Sequence, residues 1–478
     1  MEVFNTIGDA IVNWVEPIRM AAAQGPGALL SAISGFMWGP PMLVLLFGTH
    51  IFLTIRLRFI QRYIGRGIRL SLQRDAEGEG DVSHFGALTT ALAATIGTGN
   101  IVGVATAVVA GGPGAVLWMW LTGVFGISTK YAEALLSVKY RVTTDSGHFA
   151  GGPMYVLDRA LHCKWLAVLF AAFTAVAAFG IGNMVQANAI SQMLADSHWQ
   201  INPWISGTVM MVLTALVILG GIKSISRVCE ILVPYMAITY VAGCLILLAY
   251  GWPTIPATIA LIFKSAFTGH AVAGGFLGAT VLQAMRYGIA RGLFSNESGL
   301  GSAPIVAAAA QTKDPVRQAL VSSTGTFWDT VVVCAMTGLV LVNSGQWTST
   351  GLNGATLTAA AFNKVPTIGP LVLGMGLITF VFSTILGWSY YGERAAEYLF
   401  GKRSIVPYRL LWVLFVLVGS VSHLKAVWDF ADIANALMAI PNLIALLLLS
   451  GVVVAETRKH LWEPAAIEPL PRPASTDE

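Results

Sequence analysis

The feature that most constrains this chain is a long uncharged run in its first third. From Ala91 to Thr129 there is no charged side chain and no histidine, and about 20 mostly apolar residues suffice to cross a bilayer. The middle of the run, GTGN at 97–100, contains two glycines, which let the backbone leave helical geometry. The sequence therefore predicts a membrane segment whose helix is broken inside the bilayer.

Composition extends this prediction to the whole chain. Of its 478 residues, 55% are hydrophobic and 11% are charged, whereas soluble proteins carry about 25% charged residues. We predict an all-α polytopic membrane protein that has the lipid bilayer as a partner and does not bind nucleic acid. Eleven transmembrane helices are predicted, at 37–57, 84–111, 114–137, 165–195, 204–221, 229–250, 277–310, 318–343, 368–398, 407–424 and 428–455.

The distribution of lysine and arginine predicts the orientation of these spans. Cytoplasmic loops of membrane proteins carry an excess of both residues, and the loop after the first span holds six arginines between positions 56 and 74. Placing that loop in the cytoplasm puts 21 lysines and arginines inside and four outside. The chain is therefore predicted to lie in the cytoplasmic (inner) membrane, with its N-terminus outside and its C-terminus in the cytoplasm.

The spans divide into one extra N-terminal helix and two halves of five, and an odd number per half makes the halves inverted. Each half opens with a segment interrupted by small polar residues, GTGN in the first and LFSNESGLGSAP (293–304) in the second. Paired interruptions of this kind indicate a transporter's binding site. The predicted units are an amphipathic surface N-terminus (1–36), the extra helix with its basic loop (37–83), the first repeat (84–250), an extracellular connection (251–276), the second repeat (277–455) and a cytoplasmic tail (456–478).

The first interruption has three interpretations. Its freed N–H groups can hold a carboxylate, and its carbonyls, with Asn and Thr oxygens, suit a sodium ion. A dinucleotide-binding glycine loop is excluded because no strand precedes it and no acidic residue follows at the required distance. Glycine-mediated helix packing fits Gly99 and Gly103 and stays open, although the matching interruption in the second half favours ligand binding.

The second interruption places Ser295, Asn296 and Glu297 beside Gly299. An ionisable residue at membrane depth is a functional hypothesis by default. Glu297 either couples transport to a cation or locks the unwound turn by accepting hydrogen bonds from backbone N–H groups. Asn296 is the member of this group that we expect to contact the ligand.

Two further helices carry polar groups in apolar surroundings. Ser383 and Thr384 are adjacent hydroxyls in FVFSTILGWSYYGE; they either line a site or bond back to their own helix. Trp388, about one turn later, is a candidate wall of the pocket. In GIGNMVQANAI, Asn183 and Gln186 share a helix face, and Gln186 either lines the pocket or holds two helices together.

Several charged residues lie inside or at the ends of spans. Lys130 and Glu133 are three residues apart on one helix and are expected to pair. Asp329 lies near the middle of a span and has no identifiable partner in the sequence. Two arginines and two aspartates near the outer ends of spans predict an ion-pair gate, with snorkelling side chains as the alternative; they are Arg286, Arg291, Asp429 and Asp432.

These stretches together resemble the alanine or glycine:cation symporter family. TIGTGNIVGVATAV, GGPMYVL, GIGNMVQANAI, RGLFSNESGLGSAPI and STILGWSYYGE are similar to patterns of that family and cover most of residues 84–400. The resemblance implies a leucine-transporter-like fold, with an inverted five-helix repeat behind one extra helix. It also implies sodium-coupled uptake of alanine and glycine by alternating access.

The resemblance further implies roles for particular residues. Backbone N–H groups of Thr98 and Gly99 would meet the substrate carboxylate. The carbonyls of Ala93, Ile96 and Phe380, with the hydroxyls of Ser383 and Thr384, would hold sodium. The full set expected around the substrate is Thr98, Gly99, Asn100, Gln186, Phe294, Ser295, Asn296 and Trp388.

Other functions remain as alternatives. A proton-coupled small amino-acid transporter would use Glu297 as its proton carrier. A non-transporting amino-acid receptor would require a signalling domain, and the tail after Glu456 is short. An enzyme would require a nucleophile with a base, or metal ligands, within the membrane, so we predict no catalytic residues. No cofactor, no metal besides sodium and no obligate protein partner are expected.

Overall fold

The fold is that of a computed structural model, which describes residues 16–73, 78–196, 200–268, 281–349, 351–422 and 424–463. The side chains of residue 196 and of residues 424–428 lie outside this description. Most of the predicted cytoplasmic tail, the first 15 residues of the predicted surface N-terminus and the junction at 269–280 also lie outside the described residues.

Helices dominate the N-terminal half. The described chain opens with a helical segment at 16–22, and an apolar pair of helices follows it. A short antiparallel hairpin pairs β1 (Val142–Thr143) with β2 (Phe149–Ala150). The helices are α1 (Pro26–Met37), α2 (Pro40–Arg56), α3 (Ile64–Ser71), α4 (His84–Thr95), α5 (Val104–Gly111), α6 (Gly114–Lys139), α7 (Pro153–Arg159), α8 (Lys164–Ala177), α9 (Val185–Asp196), α10 (Pro203–Ile218) and α11 (Gly221–Tyr250).

The C-terminal half is built in the same way. Wide π-type turns join some consecutive helices into longer rods, as at Ala178–Met184 between α8 and α9, and at Phe327–Cys334 between α15 and α16. The helices are α12 (Ile255–Thr268), α13 (Val281–Asn296), α14 (Pro304–Ala307), α15 (Pro315–Thr326), α16 (Ala335–Asn343), α17 (Gly354–Phe362), α18 (Ile368–Phe400), α19 (Ile405–Val421), α20 (Leu424–Leu448) and α21 (Ser450–Thr457).

The helices show a multi-pass membrane protein, but they do not confirm the count of eleven spans. Each predicted span overlaps a helix. By length and apolarity, however, seven described helices can cross a bilayer, or eight if the bent pair α4 and α5 is one span. Helix α10, with 16 residues, falls short of the length of a full crossing.

The first apolar helix begins earlier than predicted. Helices α1 and α2 together form a 31-residue apolar stretch from Pro26 to Arg56, whereas the predicted span begins at 37 and leaves 26–36 to the surface segment. Pro40 fits at the start of α2 because the first turn of a helix needs no N–H partner there. The chain therefore bends at Gly39 and Pro40 and continues as a helix.

One arginine joins three segments on the predicted cytoplasmic side. Residues 79–82 lead into α4 and residues 308–312 follow α14, and Val82 and Ala310 form a parallel bridge between them. The guanidinium of Arg141 donates to four carbonyls of these two segments, at Ala308, Ala310, Glu79 and Thr312, over 2.8–3.1 Å. We call Arg141 with residues 79–82 and 308–312 the inner clasp.

Candidate functional site

The first predicted interruption is present between α4 and α5, which meet at 53°. We call residues 96–98 the first break. In a continuous helix Gly97 N–H and Thr98 N–H would donate to the carbonyls of residues 93 and 94. Instead, Gly97 N donates to Asn100 Oδ1 (2.8 Å) and Thr98 N to Gln186 Oε1 (3.3 Å). Backbone carbonyls of α4 thereby lose their helical partners.

Helix α18 brings two hydroxyls beside the first break, one of which reaches a carbonyl of the break. Thr384 Oγ1 donates to Ile96 O (3.2 Å) and to Phe380 O (2.9 Å). Ser383 Oγ donates to the same Phe380 carbonyl over 2.8 Å. The helices approach closely because Gly387 has no side chain; a Cβ there would lie 2.7 Å from the backbone nitrogen of Ala94. Ala93 is fully buried in the facing turn of α4.

The second predicted interruption is also present, and it is longer. Helix α13 ends at Asn296 and α14 begins at Pro304, so we call residues 297–303 the second break. Glu297, Gly299 and Gly301 all have positive φ, of 57°, 90° and 81°. Glycine adopts this left-handed geometry without steric cost, which explains two of the three positions.

A carboxylate from another helix holds the second break. Oε1 of Glu133 in α6 accepts hydrogen bonds from Gly299 N (3.0 Å), Gly301 N (3.0 Å) and Asn442 Nδ2 (2.7 Å). Asn442 in α20 also donates to Gly299 O over 2.9 Å. The unwound backbone is thus satisfied inside the protein, as a lipid environment demands.

This contact corrects the expected pairing of Lys130 with Glu133. Among the described residues Lys130 Nζ has no hydrogen-bond partner and no carboxylate within 4.0 Å. The carboxylate turns instead toward the N–H groups of the second break, which lie more than 160 residues away in the chain. The spacing of three residues suggested Lys130 as the partner of Glu133. The backbone N–H groups win because charge-assisted hydrogen bonds to a carboxylate are strong.

Glu297 does not take the locking role that was one of its two interpretations. Its carboxylate accepts from Ser302 Oγ (2.5 Å), while Glu133 accepts from the N–H groups of the turn. Asn296, the last residue of α13, joins the second break to the neighbouring helical rod. Its Oδ1 accepts from Ser298 N, and its Nδ2 donates to Thr330 Oγ1.

Asp329 links the two broken helices, a role that no local sequence pattern indicates. Its side chain is fully buried in the rod formed by α15 and α16. Oδ1 accepts from Asn100 Nδ2 (2.7 Å), and both carboxylate oxygens accept from Ser295 Oγ (3.0 and 3.2 Å). Thr330 Oγ1 donates to Oδ2 over 2.6 Å. Only its mid-span position marked this residue in the sequence.

The residues expected around the substrate lie mostly beside the first break. A Cβ on Gly99 would lie 3.2 Å from the Phe294 ring and 3.3 Å from Ser295 Cα, so the two broken helices touch there. Gln186 reaches Thr98 N, and Trp388 packs so closely on Gly182 that a Cβ there would lie 2.1 Å from Trp388 Cβ. All eight residues of this predicted set are buried in the described conformation: Thr98, Gly99, Asn100, Gln186, Phe294, Ser295, Asn296 and Trp388.

Only one pair forms among the four predicted gate residues. Arg291 Nη2 lies 3.9 Å from Asp432 Oδ2, and both side chains are mostly shielded from solvent. Arg286 instead donates to Gly35 O of α1 over 3.2 Å, and Asp429 accepts a short hydrogen bond from Ser31 of the same helix. Helix α1 therefore covers this end of the molecule. The sequence predicted an ion-pair gate here, with snorkelling side chains as the alternative.

Known proteins support this architecture. Residues 24–468 match the sequence model of the sodium:alanine symporter family. The sodium/alanine symporter AgcS of Methanococcus maripaludis is 52% identical over 441 residues, which cover 90% of this chain and 96% of that protein. The probable sodium/glutamine symporter GlnT of Bacillus subtilis is 34% identical and covers 90% of each chain.

A solved structure agrees with the fold. The crystal structure of MhsT in complex with L-phenylalanine matches with a TM-score of 0.58 and 15% identity, over 80% of this chain and 94% of that chain. This likeness places the chain among proteins with the leucine-transporter-type fold. The sequence match over nearly the whole chain shows that this protein belongs to the sodium:alanine symporter family.

Proposed function

We propose that this protein imports alanine and glycine together with sodium across the cytoplasmic membrane, with its N-terminus outside. Membership of the family supports sodium-coupled alanine uptake and a transporter rather than an enzyme. We include glycine as a substrate because small residues surround the first break. Glycine lacks only the methyl group of alanine, and one methyl group in an apolar pocket changes the binding free energy by only about 1–3 kcal/mol. The excess of lysine and arginine in the predicted inner loops supports the orientation.

The observation that carries the proposal is the meeting of the first break with the hydroxyls of α18. Sodium would take the carbonyl oxygens of Ala93, Ile96 and Phe380 together with Ser383 Oγ and Thr384 Oγ1. Two of those carbonyls already accept from Thr384 over 2.9–3.2 Å. The ion would replace these hydroxyl donors and join α4 to α18.

The substrate would lie on the other side of the same break. Its carboxylate would accept from Thr98 N and Gly99 N and so displace the Gln186 oxygen, which holds Thr98 N over a long 3.3 Å bond. Phe294 and Trp388 would wall the pocket. Because every described site residue is buried, the site is closed to both sides, and alternating access requires each end to open in turn. Arg291 with Asp432 is the proposed outer contact that opens.

The test is alanine uptake into proteoliposomes with and without an inward sodium gradient. We expect Thr384→Val to raise the sodium concentration for half-maximal uptake at least about tenfold, equivalent to about 1.4 kcal/mol. Thr379→Val is the matched control, because Thr379 is a hydroxyl of the same helix that bonds only within it, to Met375 O and Gly376 O. Alanine uptake that is the same with and without the sodium gradient would refute the proposal.

The same assay addresses proton coupling through Glu297. If Glu297 carried the proton, Glu297→Gln would abolish pH-driven accumulation and leave alanine exchange intact. We expect instead that an inward pH gradient without sodium drives no accumulation in the unmodified protein. Accumulation driven by pH alone would favour the proton-coupled alternative.

A further inference from the structure

The short helix α3 carries a row of exposed arginines. Arg62 lies in the turn Ile60–Tyr63 that leads into α3, and Arg66 and Arg69 follow it at spacings of four and three residues. Residues at these spacings share one helix face. No aspartate or glutamate occurs from residue 17 to residue 74, so this stretch holds no negative charge to balance them. We call Arg62, Arg66 and Arg69 the arginine face.

The opposite face of α3 is seated on α15. Gly67 is buried there, and a Cβ on it would lie 2.5 Å from the backbone oxygen of Leu320 and 2.8 Å from Thr324 Cγ2. Ser71, one turn later, is also buried. The absence of a side chain at Gly67 allows this close approach, and the approach fixes α3 with its arginine face outward.

Other arginines of the predicted cytoplasmic side are used inside the protein. Arg141 donates to four carbonyls of the inner clasp, and Arg409 pairs with the Glu393 carboxylate. Among the described residues, by contrast, Arg66 and Arg69 make no hydrogen bond, ion pair or aromatic contact. Their guanidinium groups are available to a partner outside the chain.

Exposed apolar side chains lie at both ends of the arginine face. Phe59, before the turn, is 59% exposed, and Leu72, after α3, is 69% exposed. The apolar stretch from Pro26 to Arg56 is long enough to cross a bilayer, and α3 begins shortly after it at Ile64, which places α3 near the membrane surface. Arginines beside exposed apolar groups are typical of helices that lie in the headgroup region.

We propose that the arginine face binds the phosphate groups of anionic phospholipids at the predicted cytoplasmic surface of the membrane. Arginine is always charged, and its planar guanidinium group matches a phosphate with two parallel hydrogen bonds. Basic clusters directly after a membrane span are attracted to anionic lipids. Phe59 and Leu72 enter the boundary between headgroups and acyl chains. This surface is separate from the transport site, and its lipid binding does not depend on the proposed function.

The lipid contact reaches the interior through α15. Gly67 touches α15 at Leu320 and Thr324, and the rod of α15 and α16 carries Asp329, which contacts both broken helices. A ligand that binds the folded protein stabilises it. Phospholipid bound at α3 is therefore expected to raise the melting temperature of the protein.

The test is lipid binding by the purified full-length protein in a neutral detergent, measured by native mass spectrometry. The probes are phosphatidylglycerol, which is anionic, and phosphatidylcholine with the same acyl chains, which has no net charge. We expect the double variant Arg66→Gln, Arg69→Gln to bind phosphatidylglycerol at least about tenfold more weakly, because it loses two of the three charges. Phosphatidylcholine binding should stay the same.

The double variant Lys402→Gln, Arg403→Gln is the matched control. It removes two exposed charges from another predicted cytoplasmic loop, so it lowers the net charge of the protein by the same amount. We expect it to bind phosphatidylglycerol as the unmodified protein does. An equal loss in both double variants would mean that the lipid responds to the overall charge, and the proposal would be overturned.

Two further measurements need only the unmodified protein, so they hold even if the arginine variant fails to fold. Phosphatidylglycerol should bind more tightly than phosphatidylcholine, and it should raise the melting temperature more. Equal binding of the two lipids would overturn the proposal. Glycerol phosphate, added at the same concentration as the lipid, should not displace phosphatidylglycerol. Displacement would assign the arginine face to a soluble phosphate and overturn its assignment to the membrane.

Discussion

The two breaks resemble each other in sequence, yet the protein holds them differently. At the first break, the N–H groups of Gly97 and Thr98 donate to neutral amide oxygens, one of them over 3.3 Å. At the second, Gly299 N and Gly301 N share a single carboxylate oxygen of Glu133 at 3.0 Å. Bonds to ionised groups are roughly twice as strong as neutral ones. The first break is therefore suited to exchange partners with a ligand, and the second to stay fixed.

The largest expected effect comes from removing the carboxylate at the second break. Glu133→Ala leaves three buried donors without a partner, at about 1–3 kcal/mol each. We expect at least about 3 kcal/mol of destabilisation, seen as a lower melting temperature in fluorescence-detected size-exclusion chromatography. Glu133→Gln keeps an oxygen acceptor and should recover part of that loss. If Glu133→Ala melts like the unmodified protein, the second break is not held as described.

Ligands should stabilise the first break by a somewhat smaller amount. Sodium at about 100 times its dissociation constant stabilises a protein with one site by about 2.7 kcal/mol. In hydrogen–deuterium exchange we expect slower exchange over residues 96–100 and little change over 297–303. Thr384→Val should show the protection only at higher sodium. Equal protection at both breaks would erase the distinction between them.

The amide at the first break should matter less for stability than for transport. Gln186→Ala removes the acceptor of one long hydrogen bond, so we expect about 1 kcal/mol of destabilisation. Uptake should need about fivefold less alanine for half saturation, because the substrate carboxylate no longer has to displace the Gln186 oxygen from Thr98 N; a fivefold change is equivalent to about 1 kcal/mol. A loss of stability as large as that of Glu133→Ala would show that the first break is equally rigid.

The smallest effect is expected at the outer ion pair beside the second broken helix. Asp432→Asn removes a partly exposed pair at 3.9 Å, and such pairs contribute about 1 kcal/mol or less. We therefore expect little change in the melting temperature. Alanine release to the outside, measured by efflux from proteoliposomes, should be faster. A large loss of stability would mean that Asp432 is part of the rigid framework.

The sequence was sufficient for the two breaks but not for the groups that hold them. Glycines with polar neighbours in an apolar run are a local signal, and both predicted interruptions are present. Glu133 and Asp329, in contrast, hold residues that lie up to 309 positions away in the chain, and no local pattern encodes such contacts. The nearest charge in the sequence, Lys130, was for that reason assigned to Glu133 incorrectly.

The span count shows the same limit. Apolar length predicted where helices lie, since each predicted span overlaps one. It could not decide which helices cross fully, because a helix packed against neighbours such as α10 can be shorter than the bilayer is thick. The predicted first span begins at 37 and so leaves out helix α1, although the apolar stretch runs from Pro26 to Arg56.

The inner clasp has a mechanical consequence. Residues 79–82 lead into the first broken helix and residues 308–312 follow the second, and one guanidinium donates to four carbonyls across both segments. The two segments cannot move apart unless these bonds break. An inward opening beneath the site would therefore have to break them or carry both segments along together.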